Sequence, residues 1–344
     1  MRLPLVILAS SALAACSTAG MRGPAAPSDS VTGTMFVANK RGASLSRIDL
    51  ATGAETHRVE TCENPHELTV PASGEFVIVA CYSGQTLEVY RTQDLSPGGS
   101  GEIMLEQGAR VHSALWHDGN LVVAGAEGRG SLYIIALGPI TGDNRPDTAT
   151  WEIGGDNMPD TAPGPHLIAM DAGQRHVWGT IIPTGEVVLY EIPSYSEVRR
   201  ARIGEQIEAI ALSPDGQSLW VASNADNLAY RLDPMTLEVQ AEVPTGAVPI
   251  RLTMHPSGDF VVSSNYGSGD LTVIDTRSNR AVRTIPVSGS QDAVQVTLVF
   301  SEDGERLYAA ETGTDTIAEV DFASGEVLRR IATGPGGDGL AVID

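Results

Sequence analysis

Between Gln206 and Val287 the apolar and polar positions run through the same pattern twice. Each copy holds four short runs rich in Val, Ile, Leu and aromatics. The first two runs are separated by Pro214-Asp-Gly216 in one copy and Pro256-Ser-Gly258 in the other. Leu219-Trp-Val-Ala222 and Phe260-Val-Val262 are apolar at successive positions, which predicts inner strands covered on both faces. The turn glycines Gly216 and Gly258 supply the positive φ that a tight hairpin needs. Helix-period spacing is almost absent from this region. Asn224 and Asn265, at matching places in the two copies, lie 41 residues apart. Four strands per repeat at this period predict a propeller blade, which buries its faces only by stacking between neighbours.

The first-hairpin glycine recurs at Gly74, Gly119, Gly173, Gly216, Gly258 and Gly304. A seventh set of runs (35–39, 44–49 and 56–59) lacks its first strand, and residues 339–344 resemble the start of a repeat. The prediction is an all-β, seven-bladed β-propeller with four antiparallel strands per blade. Its C-terminal strand joins the N-terminal blade and closes the ring. Spread over residues 33–344, that is about 45 residues per blade. Residues 142–147 and 157–165 are insertions in blades three and four, and long loops on a repeat scaffold are where partners or lids sit.

The N-terminus changes the picture of where such a protein works. Met1-Arg2, the apolar run Leu3 to Leu8 and the small residues up to Ala15 read as a signal peptide over 1–15. Leu13-Ala-Ala-Cys16 resembles a bacterial lipobox, with Cys16 lipidated as the first mature residue. Ordinary cleavage after Ala12-Leu-Ala14 is the alternative. By resemblance to Gram-negative lipoproteins, Ser17 implies anchoring on the periplasmic face of the outer membrane. Residues 16–32, rich in Ser, Thr, Ala, Gly and Pro, read as a flexible tether ahead of a propeller over 33–344. The membrane is then a partner through the lipid. The net charge of −21 and pI near 4.6 exclude nucleic acid, which demands a basic surface.

Phe36-Val-Ala-Asn39, Leu219-Trp-Val-Ala-Ser-Asn224, Leu271-Thr-Val-Ile-Asp275, Ser213-Pro-Asp-Gly216 and Asp49-Leu-Ala-Thr-Gly53 resemble YVTN-repeat β-propellers of the lactonase-like superfamily. The resemblance covers essentially the whole chain after the tether. It implies the propeller fold and, more loosely, either a lactonase or a binding protein.

Candidate chemistry gathers at one repeat position. When the innermost strands are aligned on their first core residue, the residue two before it is His66, His112, His166 or Glu208 in blades two to five. In the closing strand it is Asp338. Blades six and seven carry Ile250 and Val296 there, with Arg251 and Gln295 the nearest polar residues. Innermost strands line the channel, so the five ionisable residues should form an arc at one mouth. Three imidazoles flanked by two carboxylates suit a transition metal such as Cu, Zn or Fe. They equally suit metal-free acid–base work, or a lining hydrogen-bonded to channel water. His57, His117, His176 and His255 read as surface residues.

Cys62 and Cys81 fall at the same edge of blade two and read as a disulfide in an oxidising compartment, worth about 3 kcal/mol for a loop of this length. Thiol ligation of copper together with His66 is the alternative. Gly334-Pro-Gly-Gly-Asp-Gly339 matches a dinucleotide fingerprint, but no helix follows it. Three functions remain open. One is a propeller binding a small ligand, metal or protein partner at its channel mouth. Another is a lactonase-like hydrolase or metal-dependent redox enzyme, and the last is a structural interaction platform.

Overall fold

The computed structural model describes residues 31–117, 121–137, 149–153 and 163–343. The expected signal peptide, Cys16, nearly all of the tether, Gly119 and insertion residues 142–147 and 157–162 lie outside them. The described residues form seven four-stranded antiparallel sheets. In six of them the strands follow chain order from the innermost outward. The exception is blade one, whose order is β28 (Gly337–Ile343), β1 (Thr34–Asn39), β2 (Ser44–Asp49), β3 (Ala54–Glu60). Thr34 pairs with Ile343 and Val37 with Leu340, so the last strand closes the ring as the pattern of runs predicts.

The innermost strands of blades two to seven are β4 (Pro65–Thr69), β8 (Val111–His117), β12 (Ile168–Met170), β16 (Ile207–Leu212), β20 (Pro249–Met254) and β24 (Gln295–Phe300). Each contacts the next around the axis, and β24 meets β28, which meets β4. The second strands are apolar on both faces because sheets cover both. Every residue of β1, of Phe76–Cys81 in blade two and of Leu219–Ser223 in blade five is buried.

One apolar cluster fills each blade-to-blade contact. Ile78, Leu87 and Val89 of blade two meet Val122, Ala124 and Tyr133 of blade three, and Met35, Val37 and Ile48 of blade one meet Tyr308, Ala310 and Ile317 of blade seven. Gly216 and Gly258 do adopt positive φ at their hairpins, +68° and +76°. Blade four departs from this. Gln174, not Gly173, takes the left-handed position at φ +53°, where a side chain costs more than glycine does.

The innermost pairings share one irregularity that matters for function. Blades one, two, three, five, six and seven each place one extra residue on the innermost strand at the same level. A bulge of this kind interrupts the ladder and re-aims a side chain.

Candidate functional site at the channel end

Four of the five residues that repeat alignment singles out lie in these bulges. His66 with Glu67 stands opposite Ala80, Asp338 with Gly339 opposite Ala38, and His112 and Glu208 are single insertions in β8 and β16. His166 sits just ahead of β12, its backbone N–H donating to Thr180 O. The five expected residues are brought together as one arc. Asp338 Oδ2 lies 3.4 Å from His66 Nδ1, and the His66 and His112 rings are 3.9 Å apart at their centroids. The His112 and His166 rings are 3.6 Å apart, and His166 Nε2 lies 3.3 Å from Glu208 Oε1. All five are buried, His112 and Asp338 to 2% exposure.

Other residues complete the site without having been singled out for it. In a regular strand Glu67 would point away from His66, but the bulge turns both toward the axis. One ring nitrogen each of His66 and His112 and one Glu67 oxygen lie within 4.8 Å of one another. Arg251 lies beside the bulge of blade six and reaches across the channel. Its Nη2 donates to Glu67 Oε1 at 2.7 Å and its Nη1 to Glu208 Oε1 at 3.2 Å. Asn224 donates to Glu208 Oε2. Glu127, in the turn after Ala126, accepts from His166 Nδ1 at 3.0 Å. Lys40, in the turn after β1, donates to His66 Nε2 at 2.6 Å and lies 3.4 Å from Asp338 Oδ2. Tyr82 stands edge-on to His66 and His112, each at 5.7 Å, and the Arg110 guanidinium covers Tyr82 at 4.7 Å.

The three imidazoles differ in charge. Burial lowers the His66 pKa to about 3 against the opposing pull of Asp338, with Lys40 and Arg251 adding to the fall. Burial also pushes His112 well below the ordinary value, and its imidazole neighbours reinforce this. Burial would lower His166 too, but the carboxylates of Glu127 and Glu208 outweigh it and raise the pKa. Glu208 falls to about 2, because His166, Arg251 and Asn224 together outweigh its burial. Burial raises Glu67 against the Arg251 guanidinium. His66 and His112 are therefore neutral near pH 7, the form that ligates metals, while His166 is held by two carboxylates. His66 Nδ1 and His112 Nδ1 are both buried without a hydrogen-bond partner among the described residues.

Cys62 and Cys81 form a disulfide, so their thiols are not ligands. It ties the connection entering blade two to the end of the adjacent strand, beside Pro65, whose Cα partner is Cys81. Of the remaining histidines, His57 is exposed and His117 and His176 are half-buried at strand ends. His255 is half-buried rather than a surface residue. Phe300 and Phe322 of blade seven pack on it with ring centroids 5.0 and 5.1 Å away, so a neighbouring blade covers it.

The family described as Lactonase, 7-bladed beta-propeller, matches residues 194–333. Antigen Lp49 of Leptospira interrogans is 32% identical over 106 residues, 30% of this chain and 22% of the relative. Dihydro-heme d1 dehydrogenase of Pseudomonas aeruginosa is 29% identical over 116 residues, 33% of this chain and 23% of the relative. The chain thus spans under a quarter of the length of either curated relative. Among solved structures, Kuenenia stuttgartiensis hydrazine synthase superposes with a TM-score of 0.70 at 16% identity, covering 90% of this chain and 99% of that one. Dihydro-heme d1 dehydrogenase in complex with DHE superposes with a TM-score of 0.63 at 15% identity, covering 93% and 67%. At these identities the structural likeness concerns the fold.

Proposed function

We propose that this chain, a lactonase-like seven-bladed β-propeller, binds a late first-row transition metal at one end of its channel through His66, Glu67 and His112. The observation that carries this reading is the convergence of two neutral imidazoles and a carboxylate, with donor atoms within 4.8 Å of one another in a buried site. Two nitrogens and one oxygen suit Zn, Cu or Fe, and three protein ligands leave a coordination position for a small molecule. Asp338 beside His66, and the His166–Glu208 pair beyond His112, would orient and charge-balance the first ligands. Catalysis at the open position, hydrolytic or redox, is the second reading. It is favoured by the segment shared with a relative named as a dehydrogenase.

The location belongs to the same proposal. The lipobox-like Cys16, the 16–32 tether and the Cys62–Cys81 disulfide support an exported lipoprotein held at the periplasmic face of the outer membrane. Its partners would be the membrane through the lipid and a small molecule at the channel mouth.

Elemental analysis of protein purified from the periplasm, and titration of stripped protein with Co(II) read by its visible absorption, test the metal. One equivalent is expected to bind. His66→Ala and His112→Ala each remove a ligand and should weaken binding by more than the roughly 10- to 100-fold that losing a ligand's hydrogen-bond partner costs, while the melting transition stays cooperative. Stripped wild-type protein that takes up no Co(II), Zn(II) or Cu(II) overturns the reading.

A further inference from the structure

Lys40 holds one of the two ring nitrogens of His66, a proposed ligand. The turn that carries it is fixed, since its backbone N–H donates to Gly336 O at 2.8 Å. Its side chain is 36% exposed and ends 2.6 Å from His66 Nε2 and 3.4 Å from Asp338 Oδ2. An ammonium group only donates, so His66 Nε2 must present its lone pair to Lys40. The proton of the neutral ring then sits on Nδ1, which faces Asp338 Oδ2 at 3.4 Å and Glu67 Oε1 at 4.0 Å. In that tautomer neither nitrogen of His66 can ligate: one lone pair is occupied and the other nitrogen carries hydrogen. Metal entry at Nε2 displaces Lys40 directly. Entry at Nδ1 moves the proton to Nε2, which removes the acceptor that holds Lys40. Both routes expel the ammonium, and a dication a few ångströms away would repel it as well.

We propose that Lys40 is an intramolecular competitor for the metal, a tethered cation that closes His66 in the empty site and swings into solvent on loading. The proposal rests on the metal reading above. It makes the site exchangeable, because the departing metal is replaced by a charge the protein already carries. It also discriminates against weakly bound cations, since only an ion with strong affinity for imidazole displaces a charged hydrogen bond.

The test compares wild type, Lys40→Met and Lys40→Arg, each stripped of metal and titrated with Zn(II) and Co(II). Lys40→Met keeps the apolar stem and removes the charge. Its affinity should rise on the order of 10- to 100-fold, the worth of a hydrogen bond to a charged group, while Lys40→Arg should stay near wild type. Independently, an amine-reactive probe should label Lys40 of the wild-type protein faster when Zn(II) is bound than when it is absent. Equal affinities of wild type and Lys40→Met, or weaker binding by Lys40→Met, overturn the competitor role and leave the metal site standing. Labelling unchanged by Zn(II) overturns the displacement. Failure of all three proteins to bind any metal overturns both proposals, and so separates that failure from a failure of Lys40 alone.

Discussion

Blades two and six have the same innermost strand and opposite uses for it. Both begin with proline, both pair that proline with the last residue of the second strand, Cys81 or Asn265, and both bulge at the next position. Blade two fills the bulge with His66 and Glu67, whereas blade six fills it with Ile250. The backbone therefore offers an inward-aimed position in nearly every blade, and the side chain alone decides whether it carries chemistry. Blade six still contributes, since Arg251 crosses the channel to pair with Glu67 of blade two and Glu208 of blade five. The site is built by one half of the ring and neutralised from the other.

The strongest way to break this comparison is Arg251→Met. It leaves buried Glu67 without its guanidinium and Glu208 with His166 alone as a cationic partner, a loss of about 3–5 kcal/mol by denaturant unfolding. A loss below about 1 kcal/mol would mean that blade six does not balance the charge of blade two. Next comes the covalent tie that blade two has and blade six lacks. The double variant Cys62→Ser/Cys81→Ser opens a loop with a sequence separation of 19 and should cost about 3 kcal/mol. Metal affinity should fall with it, because the bond holds the connection that leads into His66. Unchanged stability and affinity would show that the bulge keeps its shape without the disulfide.

The last effect is gradual, a slope against pH rather than a step. Unfolded His66 takes up a proton near pH 6.5, while folded His66 does so only near pH 3. Its share of stability is thus complete above pH 6.5 and is lost as the pH falls toward 3, at no more than about 1.4 kcal/mol per pH unit. His166 acts in the opposite sense: with its pKa raised, it stabilises the fold at low pH and loses that share as the pH rises. His66→Asn should flatten the acid side of the stability curve relative to wild type, and superimposable curves would contradict the charge states assigned here.

How much of this was legible in the sequence follows from what repeats. The strand runs repeat, so the seven blades, the closing strand and the arc from Asp338 to Glu208 follow from aligning them. Glu67 was hidden because strand alternation sends it to the far face, and only the bulge reverses that. Lys40 and Glu127 come from turns, where no period applies, and the reach of Arg251 depends on side-chain length across three blades. Asn224 shows the opposite error. It looks equivalent to Asn265, yet by register Ser223 is the equivalent residue, pairing with Ile207 as Asn265 pairs with Pro249. Asn265 therefore bonds within its own blade, to Asp270 and Thr272, while Asn224 lies one residue beyond its strand and holds Glu208.

The closing strand also sets an order of events during synthesis. Among the described strands blade one is begun before the other six blades and completed after them, because β1 waits for β28, which follows all of their strands in the chain. Six blades with sequential strands can form as they emerge, while β1 presents an open edge for the whole of that time. Entropy grows only logarithmically with the length of the loop to be closed, so the long wait adds little to the equilibrium cost. Its effect is kinetic. Until β28 pairs with it, the edge of β1 is open to a strand from a second copy.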